Sequence, residues 1–507
     1  MTILVHASDT LTRDALTVLQ PGFVGTTAPD WLLRRIGEGL SSVGLFGRNI
    51  VTPEQLTALT AQLRAERDDV LVAIDEEGGD VTRLEVKQGS SFPGNYALGS
   101  VDDVELTRAV ARELGRRLAQ CGVDLNWAPS ADVNSNAENP VIGVRSFGPD
   151  PDLVARHTVA YVDGLQGAGV AACTKHFPGH GDTNVDSHDA LPRIDVDLAT
   201  LHARELVPFR AAVAAGTKAV MSAHILLSAL DPHRPATLSP QILTGLLRQE
   251  LGFEGLIVTD GMEMQAVSAT YGIERGSVLA IAAGADAICV GGGLCDEDTV
   301  LRLRDALVDA VRTGELPEER LADAAARVRA LAAWTQAHRV RGAGSVPGAA
   351  VQEGTAPGAD IGLVAARRAL RVTRGERPYT PVTGAPYVAS FTPVANFAVG
   401  DETPWGIAAE LERLLPGTET GSYDETSAGS VLADAGERRV VAVVRDLHRH
   451  PWMIGALDGL LAARPDTVVV EMGLNEAEPR GALHIATHGA ARVCGRAAAE
   501  AVVGTGA

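Results

Sequence analysis

Lys175-His176-Phe177-Pro178-Gly179-His180-Gly181-Asp182 is followed, four residues on, by Asp186-Ser187-His188. Glycine and proline exclude a regular helix here, so a loop carries these titratable groups. Asp186 and His188 are two apart, and in extended chain such side chains point the same way. A carboxylate bonded to an imidazole fixes its tautomer and favours the protonated ring, which suits a general acid near neutral pH. His176, His180 and His188 also invite a metal reading. Phe-Pro-Gly between the first two excludes a helical i, i+4 pair, and zinc sites favour short, rigid spacings, so no metal or other cofactor is expected.

Other groups stand at the ends of apolar runs. Asp260 follows Leu256-Ile257-Val258-Thr259. A carboxylate there is a nucleophile, an acid/base, a metal ligand or the N-cap of a following helix. Asp75 opens Asp75-Glu76-Glu77-Gly78-Gly79, with Arg83 shortly after. An ionised carboxylate only accepts hydrogen bonds, which matches a vicinal pair of sugar hydroxyls. Arg145, in Val144-Arg145-Ser146-Phe147-Gly148, offers a planar fork to a carbonyl or carboxylate. Gly291-Gly292-Gly293 reads as a tight turn or a phosphate cradle. Lysine occurs only at 87, 175 and 218, which sets Lys175 beside His176 apart from ordinary surface charge.

The elements that must position these groups are legible as alternation. Apolar runs at 16–24, 43–46, 70–74, 123–127, 170–173, 218–221, 255–258 and 287–290 are predicted strands. Helical patterns fall between most of them, at 53–66, 103–120, 153–166, 198–214 and 240–250. Eight strands alternating with helices predict a (β/α)8 barrel over residues 1–335, whose active groups sit just past the strand C-termini. Asp75, Lys175-His176, His224 and Asp260 all occupy such positions. Residues 336–358, rich in Gly, Ala, Val and Pro, read as a linker. Residues 359–507, with strand-like runs at 387–391, 439–444 and 467–472 and helical patterns at 404–415 and 453–463, form a smaller α/β domain.

Composition narrows the partners. The net charge of −20 argues against nucleic acid or an anionic membrane surface. No run approaches eighteen apolar residues and no leader pattern opens the chain, so the expectation is a cytoplasmic protein. Five scattered cysteines suit buried thiols in a reducing compartment.

Taken together, the chain resembles glycoside hydrolase family 3, in its β-N-acetylglucosaminidase branch. The resemblance rests on the 175–181 loop with Asp186-Ser187-His188, on Asp75-Glu76-Glu77-Gly78-Gly79 with Arg83, on Asp124-Leu125-Asn126-Trp127-Ala128-Pro129, on Arg145-Ser146-Phe147-Gly148, and on Thr259-Asp260-Gly261-Met262. It implies a TIM-like barrel followed by an α/β sandwich, a small carbohydrate substrate and a retaining reaction. In that reaction Asp260 is the nucleophile, His188 paired with Asp186 is the acid/base, and Asp75, Arg83, Arg145, Lys175 and His176 hold the terminal N-acetylglucosamine. Glu76, where the branch often has glutamine, and Gly261, where a larger residue is frequent, depart from its pattern. A phosphorylase would use the same residues with phosphate as acceptor, and a non-catalytic sugar-binding protein is the reading from another class. The sequence leaves the oligomeric state open.

Overall fold

The computed structural model describes residues 2–187, 190–343, 361–376, 379–393 and 403–505. They divide into two compact units. The first comprises Met1–Glu77, Thr107–Ile142 and Pro149–Gly354; the second comprises Gly78–Leu106, Gly143–Gly148 and Thr355–Ala507.

The first unit is a parallel barrel. Its strands are β1 (Leu19–Pro21), β2 (Ser42–Leu45), β3 (Leu71–Ile74), β4 (Leu125–Asn126), β5 (Ala171–Phe177), β6 (Ala219–Ser222), β7 (Leu256–Thr259) and β8 (Ile288–Val290). β2 to β7 pair in chain order as one six-stranded parallel sheet, and β8 pairs with β1. The two seams are lighter. Thr259 donates its N–H to the Ala287 carbonyl at 3.0 Å beside β8, and Ser42 donates its hydroxyl to the Leu19 carbonyl at 3.1 Å between β2 and β1.

Alternate residues fill the interior. Leu71 and Ala73, Leu125 and Trp127, Ala171 and Cys173, Ala219 and Met221, Leu256 and Val258 pack into one cluster. Each fully buried branched side chain of this kind contributes about 1.5–3 kcal/mol relative to exposure. The long helix Glu318–Ala343 adds Val328, Leu331 and Ala332 to the cluster. Buried ion pairs mark the end where strands begin: Asp124, at the start of β4, pairs with Arg64 at 2.7 Å and Arg339 at 3.1 Å.

The second unit contains a six-stranded sheet: β9 (Arg371–Arg374), β10 (Tyr387–Phe391), β11 (Glu419–Tyr423), β12 (Val440–Val444), β13 (Val468–Glu471) and β14 (Leu483–Ala486). The order is β9-β14-β13-β12-β10-β11, parallel except for β9. Period-2 alternation divides its residues between two cores. Val388, Val441, Val443, Val470 and Ile485 face one, while Tyr387, Phe391, Ala442, Val444 and Val469 face the other. Helices cover both faces, which makes an α/β sandwich.

Local differences have physical causes. Leu16 and Thr17 end the helix Thr2–Thr17, leaving only the last part of the predicted first run as strand. The helix Glu318–Ala343 continues past residue 336, the expected start of the linker, where Gln336 donates to Asp68 at 3.1 Å and Arg339 pairs with the buried Asp124 at 3.1 Å. Residues 344–358 lie outside the described residues.

Candidate active site

Strand register does most of the positioning. Leu71 and Ala73 point inward, so Asp75 continues the inward row beyond β3; Ala171 and Cys173 do the same for Lys175, and Leu256 and Val258 for Asp260. Three charged groups thus line one barrel mouth, at the carboxyl ends of the strands. The Cys289 thiol reports on the same region. Burial raises it first, and the charges of Glu263, Asp260 and Asp75 push it further.

Lys175 is almost fully buried. Its Nζ lies 2.6 Å from Asp75 Oδ1 and 2.6 Å from Glu77 Oε1. Two carboxylates thus flank this buried side chain, and such pairing offsets part of the cost of burying charge. The Tyr161 hydroxyl donates to the Glu77 carbonyl at 3.1 Å and fixes the turn after β3. Asn126 grips the same turn, accepting the Glu76 N–H at 2.9 Å and donating to the Glu76 carbonyl at 2.7 Å.

His176 donates from Nδ1 to Asp132 Oδ2 at 2.7 Å. Asp132 Oδ1 accepts the backbone N–H of His176 at 3.2 Å and of His180 at 2.7 Å, and the Ser130 hydroxyl donates to Oδ2 at 2.9 Å. Burial alone would raise this carboxyl, but the neighbouring His176 and His180 and their hydrogen bonds hold it well below the usual carboxylate range. Asp132 was absent from the residues singled out by motif. The signal was its place beyond β4, at a strand end like the others. Burial pushes the His180 imidazole down to about 4 against the attraction of Asp132, so this ring is neutral at pH 7. The peptide bonds Lys175–His176, Phe177–Pro178 and Ala128–Pro129 are cis.

The root of the loop is held from outside. Arg204 bonds Asp182 Oδ2 at 2.7 Å and Glu205 Oε1 at 2.6 Å. Glu205 is buried beneath Gly179, and burial pushes its carboxyl up to about 7 against the pull of Arg204. Asp186 is half-buried. Beside it the Ser187 carbonyl accepts the Ala266 N–H at 3.4 Å, which ties the loop to the helix Gln265–Tyr271 that follows Asp260. His188 lies outside the described residues.

Asp260 Oδ1 accepts the Gly261 N–H at 2.8 Å, and the Asp260 N–H donates to the Ser222 carbonyl at 3.2 Å. His224 donates from Nε2 to the Gly261 carbonyl at 2.9 Å, while its Nδ1 meets the Thr237 hydroxyl at 2.8 Å. Its place at the end of β6 thus steadies the backbone after Asp260. The glycine triplet is engaged within the fold. Glu263 Oε1 accepts the N–H groups of Gly291, at 2.9 Å, and Gly292.

Arg83 and Arg145 belong to the second unit. Arg83 is half-buried and Arg145 buried, and the Arg145 carbonyl accepts the Asn95 side-chain amide at 2.8 Å. Among the described residues no group of three or more His, Cys, Asp or Glu side chains is arranged to hold a metal ion. No helix among them is long and apolar enough to cross a membrane.

Known proteins share this plan. A β-N-acetylglucosaminidase of glycoside hydrolase family 3 from Paenibacillus sp. str. FPU-7 superposes with a TM-score of 0.85 at 32% identity, covering 97% of this chain and 96% of that one. Beta-hexosaminidase A of Pseudoalteromonas piscicida is 36% identical over 332 residues, 60% of this chain. The chain spans only 55% of that relative's length. Beta-hexosaminidase of Neisseria meningitidis serogroup C (strain 053442) is 36% identical over 265 residues, 51% of this chain and 73% of the relative. Residues 34–331 match the family described as Glycosyl hydrolase family 3 N terminal domain. With that match laid over the barrel and its mouth, the chain belongs to glycosyl hydrolase family 3.

Proposed function

We propose that this protein is a retaining, exo-acting β-N-acetylglucosaminidase that removes terminal β-linked N-acetylglucosamine from cell-wall or chitin fragments. The observation that carries the reading is the inward row of Asp75, Lys175 and Asp260 at one barrel mouth. A paired lysine and carboxylate suit sugar hydroxyls, and a second carboxylate at the same mouth is the type of group that attacks an anomeric carbon. The relatives named β-hexosaminidase and β-N-acetylglucosaminidase support the same substrate class.

In this reading Asp260 attacks the anomeric carbon as the glycosidic C–O bond breaks. His188, oriented by Asp186, gives its proton to the departing oxygen. The imidazole then takes a proton from water as that water displaces Asp260 and releases the sugar. Asp75, Lys175 and His176, with Arg83 and Arg145, hold the terminal residue. Retaining glycosidases generally use two carboxylates, and here a histidine takes the second role.

The test is product identification from an aryl β-N-acetylglucosaminide with and without phosphate. Free N-acetylglucosamine in both buffers is expected. A sugar 1-phosphate formed in phosphate buffer would reassign the protein as a phosphorylase. Asp260→Asn is expected to abolish turnover. His188→Ala is expected to spare activated aryl leaving groups more than natural sugars, because good leaving groups need little protonation. Equal losses on both substrates would remove His188 from the acid role.

A further inference from the structure

The glycine triplet after β8 has no part in the reaction proposed above, yet one side chain from the turn after Asp260 reaches it. Glu263 lies three residues beyond Asp260, between β7 and the helix Gln265–Tyr271. This turn runs beside the end of β8. The Cys289 N–H donates to the Thr259 hydroxyl at 3.0 Å, and the Met262 N–H donates to the Cys289 carbonyl at 3.0 Å. The Ser268 hydroxyl donates to the Glu263 carbonyl at 2.9 Å and steadies the turn from the helix side.

From that position Glu263 Oε1 receives two consecutive N–H groups, of Gly291 at 2.9 Å and of Gly292. Successive amides converging on one point form an anion-binding concavity. The carbonyls of the same two glycines are engaged by Arg48, which donates to Gly292 at 3.1 Å and to Gly291. Arg48 is fixed in turn by a bond from Nε to the Phe23 carbonyl at 3.0 Å and by the Phe46 ring, 4.6 Å from its guanidinium. The amides thus meet an anion, and that anion is the protein's own carboxylate. Only a glycine at 292 leaves it room, since an added Cβ would stand 2.7 Å from Glu263 Oε1. Glu263 Oε2 is buried with no hydrogen-bond partner among the described residues, so the two glycine amides are what the carboxylate rests on. The Cys289 thiol feels the charges of Glu263, Asp260 and Asp75 together, which sets this seat at the same barrel mouth.

We propose that Glu263 is a built-in anion that fills the seat on Gly291 and Gly292 and so keeps inorganic phosphate out of the barrel mouth. A phosphate dianion arriving there meets a carboxylate already bonded to the donors it needs, and like charges repel. The binding claim stands on this geometry alone. Its consequence for the reaction, water rather than phosphate as acceptor, rests on the functional reading above.

The experiment titrates the full chain with inorganic phosphate by calorimetry, with chloride matching the ionic strength. The parent is expected to show no saturable binding. Glu263→Ala, which frees the two amides, is expected to bind phosphate with a Kd on the order of millimolar, at least about tenfold tighter than the parent. Glu263→Gln keeps an acceptor oxygen on the amides and is expected to stay closed. Gly292→Ala added to Glu263→Ala sets a methyl group close to where Oε1 stood and is expected to abolish binding. Phosphate bound equally by parent and Glu263→Ala, or by neither, would overturn the inference. So would binding by Glu263→Gln equal to that by Glu263→Ala, which would make charge and not occupancy the cause. Binding that survives Gly292→Ala would place the phosphate elsewhere and also overturn it. If the parent turns over no aryl β-N-acetylglucosaminide, the functional reading falls and the titration still decides this inference. Melting curves identify any variant that fails to fold. Should Glu263→Ala be one, Glu263→Ser, too short to reach the amides, carries the test.

Discussion

A carboxylate has about four lone-pair positions, and Asp132 fills them with two backbone amides, one imidazole and one hydroxyl. Replacing one oxygen with an amide nitrogen sets a donor against donors. Asp132→Asn is expected to lose on the order of 3–5 kcal/mol of stability in urea denaturation, and kcat/KM is expected to fall with it as His176 loses its orientation. Unchanged kcat/KM would remove Asp132 from the site. Glu205 makes a prediction in pH. Its folded-state pKa near 7 stands above its ordinary 4.5, so its stabilising contribution is complete below about 4.5 and is lost as pH rises through 7. Glu205→Gln is expected to melt level with the parent at pH 5 and higher at pH 8. Identical melting at both pH values would show that the carboxyl keeps an ordinary pKa. At this scale the sequence was most legible where chemistry repeats in motifs, as at Lys175, Asp75 and Asp260. Asp132 and Glu205 lie outside every motif, and their ties to the 175–181 loop, through His176 and His180 in one case and beneath Gly179 in the other, are made by folding and not by sequence spacing.

Among elements, β5 and the loop after it are the most constrained. A Cβ on Gly181 would run into the Val133 carbonyl, and Gly179 adopts φ of 123° against the buried Glu205 side chain. Gly181→Ala is expected to lower the melting temperature by several degrees and to depress turnover more than Gly455→Ala in the helix Pro451–Ala463, where an added Cβ meets nothing and no positive φ is required. Comparable losses at both positions would show that the loop has room to move. The buried parallel strands were readable in advance because strands covered on both faces are written as apolar runs. β9 and β11 were missed: Arg371-Val372-Thr373-Arg374 is exposed throughout, and Glu419-Thr420-Gly421-Ser422-Tyr423 is mostly polar. Both lie at sheet edges, where only one neighbour and little burial shape the sequence. β14 was missed as well, its short Leu483-His484-Ile485-Ala486 interrupted by a buried histidine.

For the whole molecule, a formal charge of −20 produces self-repulsion that salt screens. The melting temperature is expected to rise by a few degrees between low and physiological ionic strength, and a fall would point to surface ion pairs outweighing the net charge. The eight-strand alternation made the barrel legible. The composition of the second unit was not, because its recruitment of 78–106 and 143–148 depends on tertiary contacts that no local pattern announces. Deleting residues 361–507 would strip the partners from Phe92, Ala97 and Leu98, which are buried. The shortened chain is expected to elute as aggregates in size exclusion, and a clean monomer with native melting would contradict this.

That three-piece construction also bears on synthesis. Chains are made at about 5–20 residues per second, N-terminus first. Residues 78–106 emerge roughly 250 residues before the segment that completes their unit, a wait on the order of ten to fifty seconds. Throughout that interval an apolar helix and its flanking loops are present without their native covering. The barrel's own strands meanwhile have neighbours to pair with, so folding on the ribosome has to proceed around an unfinished insertion. Chaperone dependence during translation, rather than refolding of the finished chain, is where the cost of this architecture falls.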